Sequence, residues 1–145
     1  EEGANFQLSP GAEDLLEWLK KQNMPRTIAT ASEINNVTFF VEHLKLERWF
    51  DPVKIVYDDG SIAGKPAPDM YLRAAEYLRL APPDCCVVED SVSGIQSAHA
   101  AGIGMIFAIG PYEGHDRLAR RPGVDYVIHE LGRLTDEFFS GLNAG

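Results

Sequence analysis

The sequence predicts an α/β fold: a doubly wound, Rossmann-like parallel sheet with helices on both faces. Two observations carry this. Short apolar runs alternate with amphipathic stretches from one end of the chain to the other. Apolar strands joined by helical crossovers imply a parallel sheet covered on both faces. Neither an internal repeat nor a low-complexity linker interrupts the pattern.

Taken in order, Ser9 reads as the N-cap of a first helix with Pro10 at its first position, where a missing N–H costs nothing. Ala12, Leu15, Leu16 and Leu19 share one face, and Asn23 and Pro25 stop the helix. Arg26 to Thr30 reads as a short buried strand. Ile34, Val37, Val41 and Leu44 mark a second helix, and Val53 to Tyr57 a second strand. Asp58-Asp59-Gly60-Ser61 is a turn signal. A third helix after Pro68 carries Tyr71, Ala74, Ala75 and Leu78 on one face, and Pro82-Pro83-Asp84 breaks it. Cys85 to Val88 is a strand, Gly94 to Ala101 a helix ending at Gly102, and Met105 to Ile109 another strand. Tyr126 to Ile128 is a last strand before a helix from about Leu134 to Leu142.

The length suits one domain with a real core, and 45% hydrophobic against 24% charged residues is ordinary for a globular chain. A net charge of -9 disfavours nucleic acid and anionic membranes. The only dense basic cluster, Arg117, Arg120 and Arg121, reads as a solvated helix end. Cys85 and Cys86 are adjacent, which a disulfide tolerates poorly, and no zinc spacing is present; reduced thiols in a cytoplasmic protein are expected. The longest nearly apolar run, Gly102 to Gly110, is far too short to span a bilayer, and no signal-peptide pattern is seen. His43, His99, His115 and His129 are scattered and read as solvated or half-buried; Trp18 and Trp49 read as core.

In an open parallel sheet, ligands bind beyond the carboxyl ends of the strands. That rule selects Thr30, Ala31 and Ser32 after the first strand, Lys65 in the loop after the second, and Glu89, Asp90 and Ser91 after the third. Adjacent carboxylates at Glu89 and Asp90 repel unless a cation lies between them, and Mg²⁺ takes one or two carboxylates with phosphate oxygens and water. Taken alone, Asp90 or Ser91 reads equally as a helix cap. Lys65, between a glycine and two prolines, is aimed by a stiff backbone and expected to stand exposed in a cleft, a point charge for phosphate. The hydroxyl and N–H groups of Thr30-Ala31-Ser32 could receive a phosphate oxygen, or Ser32 could simply cap the following helix.

Thr-Ala-Ser after a strand, then Gly64-Lys65-Pro66-Ala67-Pro68-Asp69, then Val-Val-Glu-Asp-Ser-Val-Ser-Gly-Ile and a helix leading to Ala-Ala-Gly, resembles the haloacid dehalogenase-like hydrolase superfamily, most of all its β-phosphoglucomutase-like branch. The match runs from about Pro10 to Gly110. The resemblance implies that Thr30 and the Ala31 N–H hold a phosphoryl group, that Lys65 neutralises it, and that Glu89 and Asp90 bind Mg²⁺. Thr30 and Lys65 are then the catalytic candidates, and the substrate is a small phosphorylated metabolite.

Members of that family begin with a strand ending in Asp-x-Asp, whose first Asp attacks phosphorus, and that strand lies mid-sheet between the strands ending at Thr30 and Val88. No such motif precedes Thr30 here. The adjacent Asp58 and Asp59 would diverge on an extended chain and are rejected as a substitute. Residues 1–8 resemble the tail of a cap domain, and residues 9–145 a partial core. The expectation is therefore an enzyme, a phosphomonoester hydrolase or phosphosugar mutase, of which these 145 residues alone are inactive. The alternative is a non-catalytic module that binds phosphate or a partner. The mid-sheet gap is expected to be filled by a further segment of the same protein, or to disappear as the half-sheets close on each other.

Overall fold

A computed structural model describes Leu8 and residues 10–139. Helix α1 spans Ala12–Lys21, α2 Ile34–Leu44 and α3 Asp69–Leu78. Strand β1 (Cys86–Glu89), α4 (Val92–Ala100), β2 (Met105–Ile109), α5 (His115–Ala119) and β3 (Tyr126–Ile128) complete the order. The strands form a parallel sheet in the order β1-β2-β3, with Cys86 opposite Met105 and Phe107 opposite Tyr126.

Both sheet faces are covered. Val87 and Ile106 pack with Tyr71 of α3 and with Ala98 and Ala101 at α4, while Phe107 and Ile128 pack on the opposite face with Leu15 of α1 and Leu134. Phe107 and Ala98 are fully buried. The doubly wound reading therefore holds, and with it the rule that places ligands at the strands' carboxyl ends.

Several local expectations are corrected. The first helix starts at Ala12, after Gly11 in the left-handed region at φ 81°, and Pro10 lies in the turn before it. Ser9 lies outside the described residues. The two strands expected at 26–30 and 53–57 shrink to a single parallel bridge between Ala29 and Val56. Pro52–Lys54 forms a 3₁₀ turn instead, because Asp51 caps it by accepting from the Val53 N–H at 3.1 Å and Pro52 opens it. The third expected strand runs one residue later, so Glu89 ends β1 and does not follow it. At the C-terminal end, Leu134–Phe139 forms a π-helical turn, and the rest of that expected helix lies outside the described residues. Short α5 ends at the exposed Arg117, Arg120 and Arg121 cluster, the solvated helix end that the sequence suggests.

Trp49 is core, with its indole N–H donating to Glu17 at 2.7 Å. Cys85 and Cys86 are free thiols. No helix among the described residues is long and apolar enough to cross a membrane.

Candidate active site

The carboxyl ends of the Ala29 segment and of β1 meet at Lys65. Its ammonium donates to the Glu89 carboxylate at 2.6 Å and to the Ala29 carbonyl at 3.3 Å, and it lies 5.0 Å from the centre of the Tyr71 ring. The Lys65 loop is pinned from below: the buried Ser97 hydroxyl of α4 donates to the Ala67 carbonyl at 2.6 Å, and Ala67 N–H closes a turn onto Gly64. With a side chain only 13% exposed, Lys65 is not the free cation in a cleft that the sequence suggests. A buried carboxylate needs a counter-ion, and Lys65 is the one within reach.

Glu89 is saturated by its neighbours. One oxygen accepts from Lys65 and from the Tyr71 hydroxyl at 2.5 Å. The other accepts from the N–H groups of Asp90 and Ser91 and from the Ser91 hydroxyl. Burial pushes this carboxyl up, but the hydrogen bonds from Lys65 and Tyr71, with the Lys65 charge, outweigh it and leave Glu89 below its ordinary value. Burial, and then the Glu89 charge, push the Tyr71 hydroxyl far up, so Tyr71 stays a neutral donor. The first turn of α4 closes over Glu89 so tightly that a methyl group at Gly94 would overlap its carboxyl.

Asp90 is exposed, at the mouth of the same cleft. Of the adjacent pair, then, Asp90 has its carboxylate open to a cation, whereas Glu89 is already engaged by five donors. No group of three metal-binding side chains occurs among the described residues. The cap of α4 is Ser91, which accepts from the Gly94 N–H at 3.0 Å, so the capping role falls to Ser91 and not to Asp90.

Thr30 and Ala31 line the same cleft as Asp90. The Thr30 N–H pairs with Val56, and its hydroxyl accepts from the Ser32 N–H at 3.2 Å. Helix α2 begins only at Ile34 and is capped by Glu33, which accepts from the Asn35 N–H. Ser32 is therefore not the cap, and the helix N-terminus is not directly behind Thr30. The carboxylates of Asp58 and Asp59 accept from the N–H groups of Gly60 and Ser61 in their own turn, while the Asp58 N–H donates to the Ser32 carbonyl at 3.0 Å.

Behind these polar groups runs a cavity of about 1210 Å³, with Ile28, Ala29 and Thr30 on one wall and Cys86 to Glu89 on the other. No pairing joins the two walls among the described residues, so the half-sheets do not close on each other. Tyr71 and Ser97, which shape the site, escape a reading of sequence. Tyr71 reads there as one apolar residue of a helical face, and Ser97 carries no pattern at all.

The lysine–carboxylate pair and the exposed aspartate lie at the carboxyl ends of the strands, where parallel α/β sheets bind ligands. A model of haloacid dehalogenase-like hydrolases matches residues 1–102, and the chain belongs to that family. It is 34% identical over 131 residues to β-phosphoglucomutase of Bacillus subtilis, covering 90% of this chain and 53% of that protein. It is 36% identical over 126 residues to hexitol phosphatase A of Escherichia coli, covering 87% and 55%. A solved family IA hydrolase from Entamoeba histolytica superposes with a TM-score of 0.86 at 40% identity, covering 96% of this chain and 62% of that one. The chain thus spans about half the length of the curated relatives it matches.

Proposed function

We propose that these residues form the phosphate- and metal-facing wall of a Mg²⁺-dependent phosphoryl-transfer enzyme, a phosphomonoester hydrolase or phosphosugar mutase of the cytoplasm. The observation that carries this reading is Lys65, held between the Ala29 carbonyl and the Glu89 carboxylate at the carboxyl ends of two strands, with Asp90 open beside it. Its relatives bear the names of phosphatases and mutases of phosphorylated sugars, which supports a small phosphorylated metabolite as substrate.

Thr30 and the Ala31 N–H orient the phosphoryl oxygens. Lys65 supplies positive charge where negative charge spreads over those oxygens in the transition state. Glu89 and Tyr71 hold the ammonium in place, so no reorganisation is needed during reaction. Mg²⁺ supplies further charge neutralisation and orients the phosphate. Of the residues expected to bind it, Asp90 fits with its open carboxylate; Glu89 fits as the counter-ion of Lys65 and would reach a metal only by giving up a donor. The attacking carboxylate, an aspartate that forms an aspartyl-phosphate, comes from outside these 145 residues, and the residues alone do not turn over.

The test is thermal melting with and without Mg²⁺ and orthophosphate, on a protein that includes the remaining family length. Mg²⁺ raises the melting temperature, and Asp90→Asn abolishes that rise while leaving the metal-free melting temperature unchanged, because Asp90 is exposed. An undiminished Mg²⁺ response in the variant removes Asp90 from the site.

A further inference from the structure

Ser97 is a buried polar side chain with no part in contacting phosphate or metal. It sits on α4, fully withdrawn from solvent, one position before Ala98, which packs with Ala101, Val87 and Tyr71. A hydroxyl removed from water costs free energy unless it is hydrogen-bonded, so alanine would serve packing alone at least as well. A serine inside a helix ordinarily points to solvent or donates back to the carbonyl one turn earlier. The Ser97 hydroxyl instead crosses to the Ala67 carbonyl, 30 residues away in sequence, at 2.6 Å.

The acceptor lies in the loop that carries Lys65, and that loop has few means of holding itself. Pro66 and Pro68 bring no N–H. The Ala67 N–H closes onto the Gly64 carbonyl at 3.0 Å, and the Leu72 N–H takes the Pro68 carbonyl at 3.0 Å as α3 starts. Among the described residues no backbone N–H donates to the Ala67 carbonyl, and Ser97 is its donor. A methyl group at Gly64 would meet open space, so no neighbour clamps the loop there. The same helix also registers the partner of Lys65, since Ser91 at its N-cap donates to Glu89 at 3.2 Å. One element thus fixes both the loop that carries the ammonium and the carboxylate that receives it.

We propose that Ser97 is a positioning residue of the site: it sets how deep the Lys65 loop sits, and so where the ammonium is held. The ammonium has Glu89 at 2.6 Å and the Ala29 carbonyl at 3.3 Å, the second close to the limit of a hydrogen bond. A loop that lifts therefore loses the Ala29 contact first, while the flexible lysine stem keeps the stronger contact with Glu89. Without the Ser97 hydroxyl the ion pair remains, but the ammonium swings about Glu89 toward solvent. Its place matters because charge stabilises a transferring phosphoryl group best when it is already in position. What the ammonium is held for rests on the phosphoryl-transfer reading; where it is held does not.

The experiment is competitive amine labelling of the 145-residue chain with trace acetic anhydride at fixed pH, read by peptide mass spectrometry, with the exposed Lys45 and Lys54 as internal references. Ser97→Ala removes the donor, and Ser97→Cys keeps a weak one. Ile95→Val loosens the same helix at a buried position that has no bond to the loop. Ser97→Ala raises labelling of Lys65 by about 5-fold against the references, the factor that one lost hydrogen bond allows. Ser97→Cys raises it less, and Ile95→Val leaves it as in the native chain. An unchanged rate in Ser97→Ala, or an equal rise in Ile95→Val, overturns the proposal, because the serine would then act through stability alone. Near-ultraviolet dichroism checks that each variant is folded; if Ser97→Ala unfolds, Ser97→Cys against Ile95→Val decides by the same criterion. Orthophosphate with Mg²⁺, added to the native chain, tests the phosphoryl-transfer reading separately: failure to protect Lys65 counts against that reading, while the variants alone decide the role of Ser97.

Discussion

Glu89 shows how one buried carboxylate organises a site. Five donors converge on it, and removing any one should act through the others. Tyr71→Phe removes a hydrogen bond to a charged group, for which about 1.5–3 kcal/mol of stability at neutral pH is expected. The pH dependence has a definite sign. The folded carboxyl lies below its ordinary value of 4.5, so the stability it contributes is fully present above that value and is lost as pH falls through the lower folded value. Tyr71→Phe weakens the depression and should move the acid-unfolding midpoint to higher pH. Acid titrations followed by circular dichroism check this; an unchanged midpoint would mean that the tyrosine does not hold the carboxylate. Lys65 carries the matching lesson. Expected as an exposed point charge, it is instead half of a largely buried pair, so its removal strands Glu89 and should cost folding.

At the scale of elements, the site depends on how α4 starts. Ser91 accepts from the Gly94 N–H and donates to Glu89, linking the helix cap to the carboxylate. Ser91→Ala should therefore cost at least the ~1 kcal/mol typical of a lost cap, measured by denaturant unfolding. A cost near zero would show that the cap is satisfied in another way. The glycine at 94 belongs to the same joint, since any side chain there would displace Glu89. Much of this joint is legible beforehand: the carboxylates at a strand's end, a serine and a glycine beyond them, and an apolar helix. The strand reading of 26–30 and 53–57 is less successful. Apolar composition alone marks those segments as strands, but a strand needs partners over several residues, and here each finds one across a single bridge.

For the molecule as a whole, the cavity separates two half-sheets that share helices α1 and α3 but no backbone pairing among the described residues. Its apolar lining should bind an environment-sensitive dye such as anilinonaphthalene sulfonate while the near-ultraviolet dichroism remains that of packed aromatic side chains. That combination distinguishes a formed cavity from a molten state, in which the dye binds and the near-ultraviolet signal is lost. Dye binding only after loss of that signal would show that the cavity is not open in the folded chain.

The sequence by itself determined the α/β class and the order of most helices and strands, and it offered as candidates the loop residues Thr30, Ala31, Ser32, Lys65, Glu89, Asp90 and Ser91. These follow from periodicity, from turn residues and from the rule that sheet loops gather at one end, all of which act over neighbouring residues. Tertiary structure decided what those residues do to one another. That Lys65 belongs to Glu89, and that a tyrosine from the apolar face of α3 completes the pair, depend on contacts between positions 18 to 36 residues apart, and Asp90 is left exposed beside them in sequence. Burial then settles the outcome, because a carboxylate removed from water takes every donor within reach.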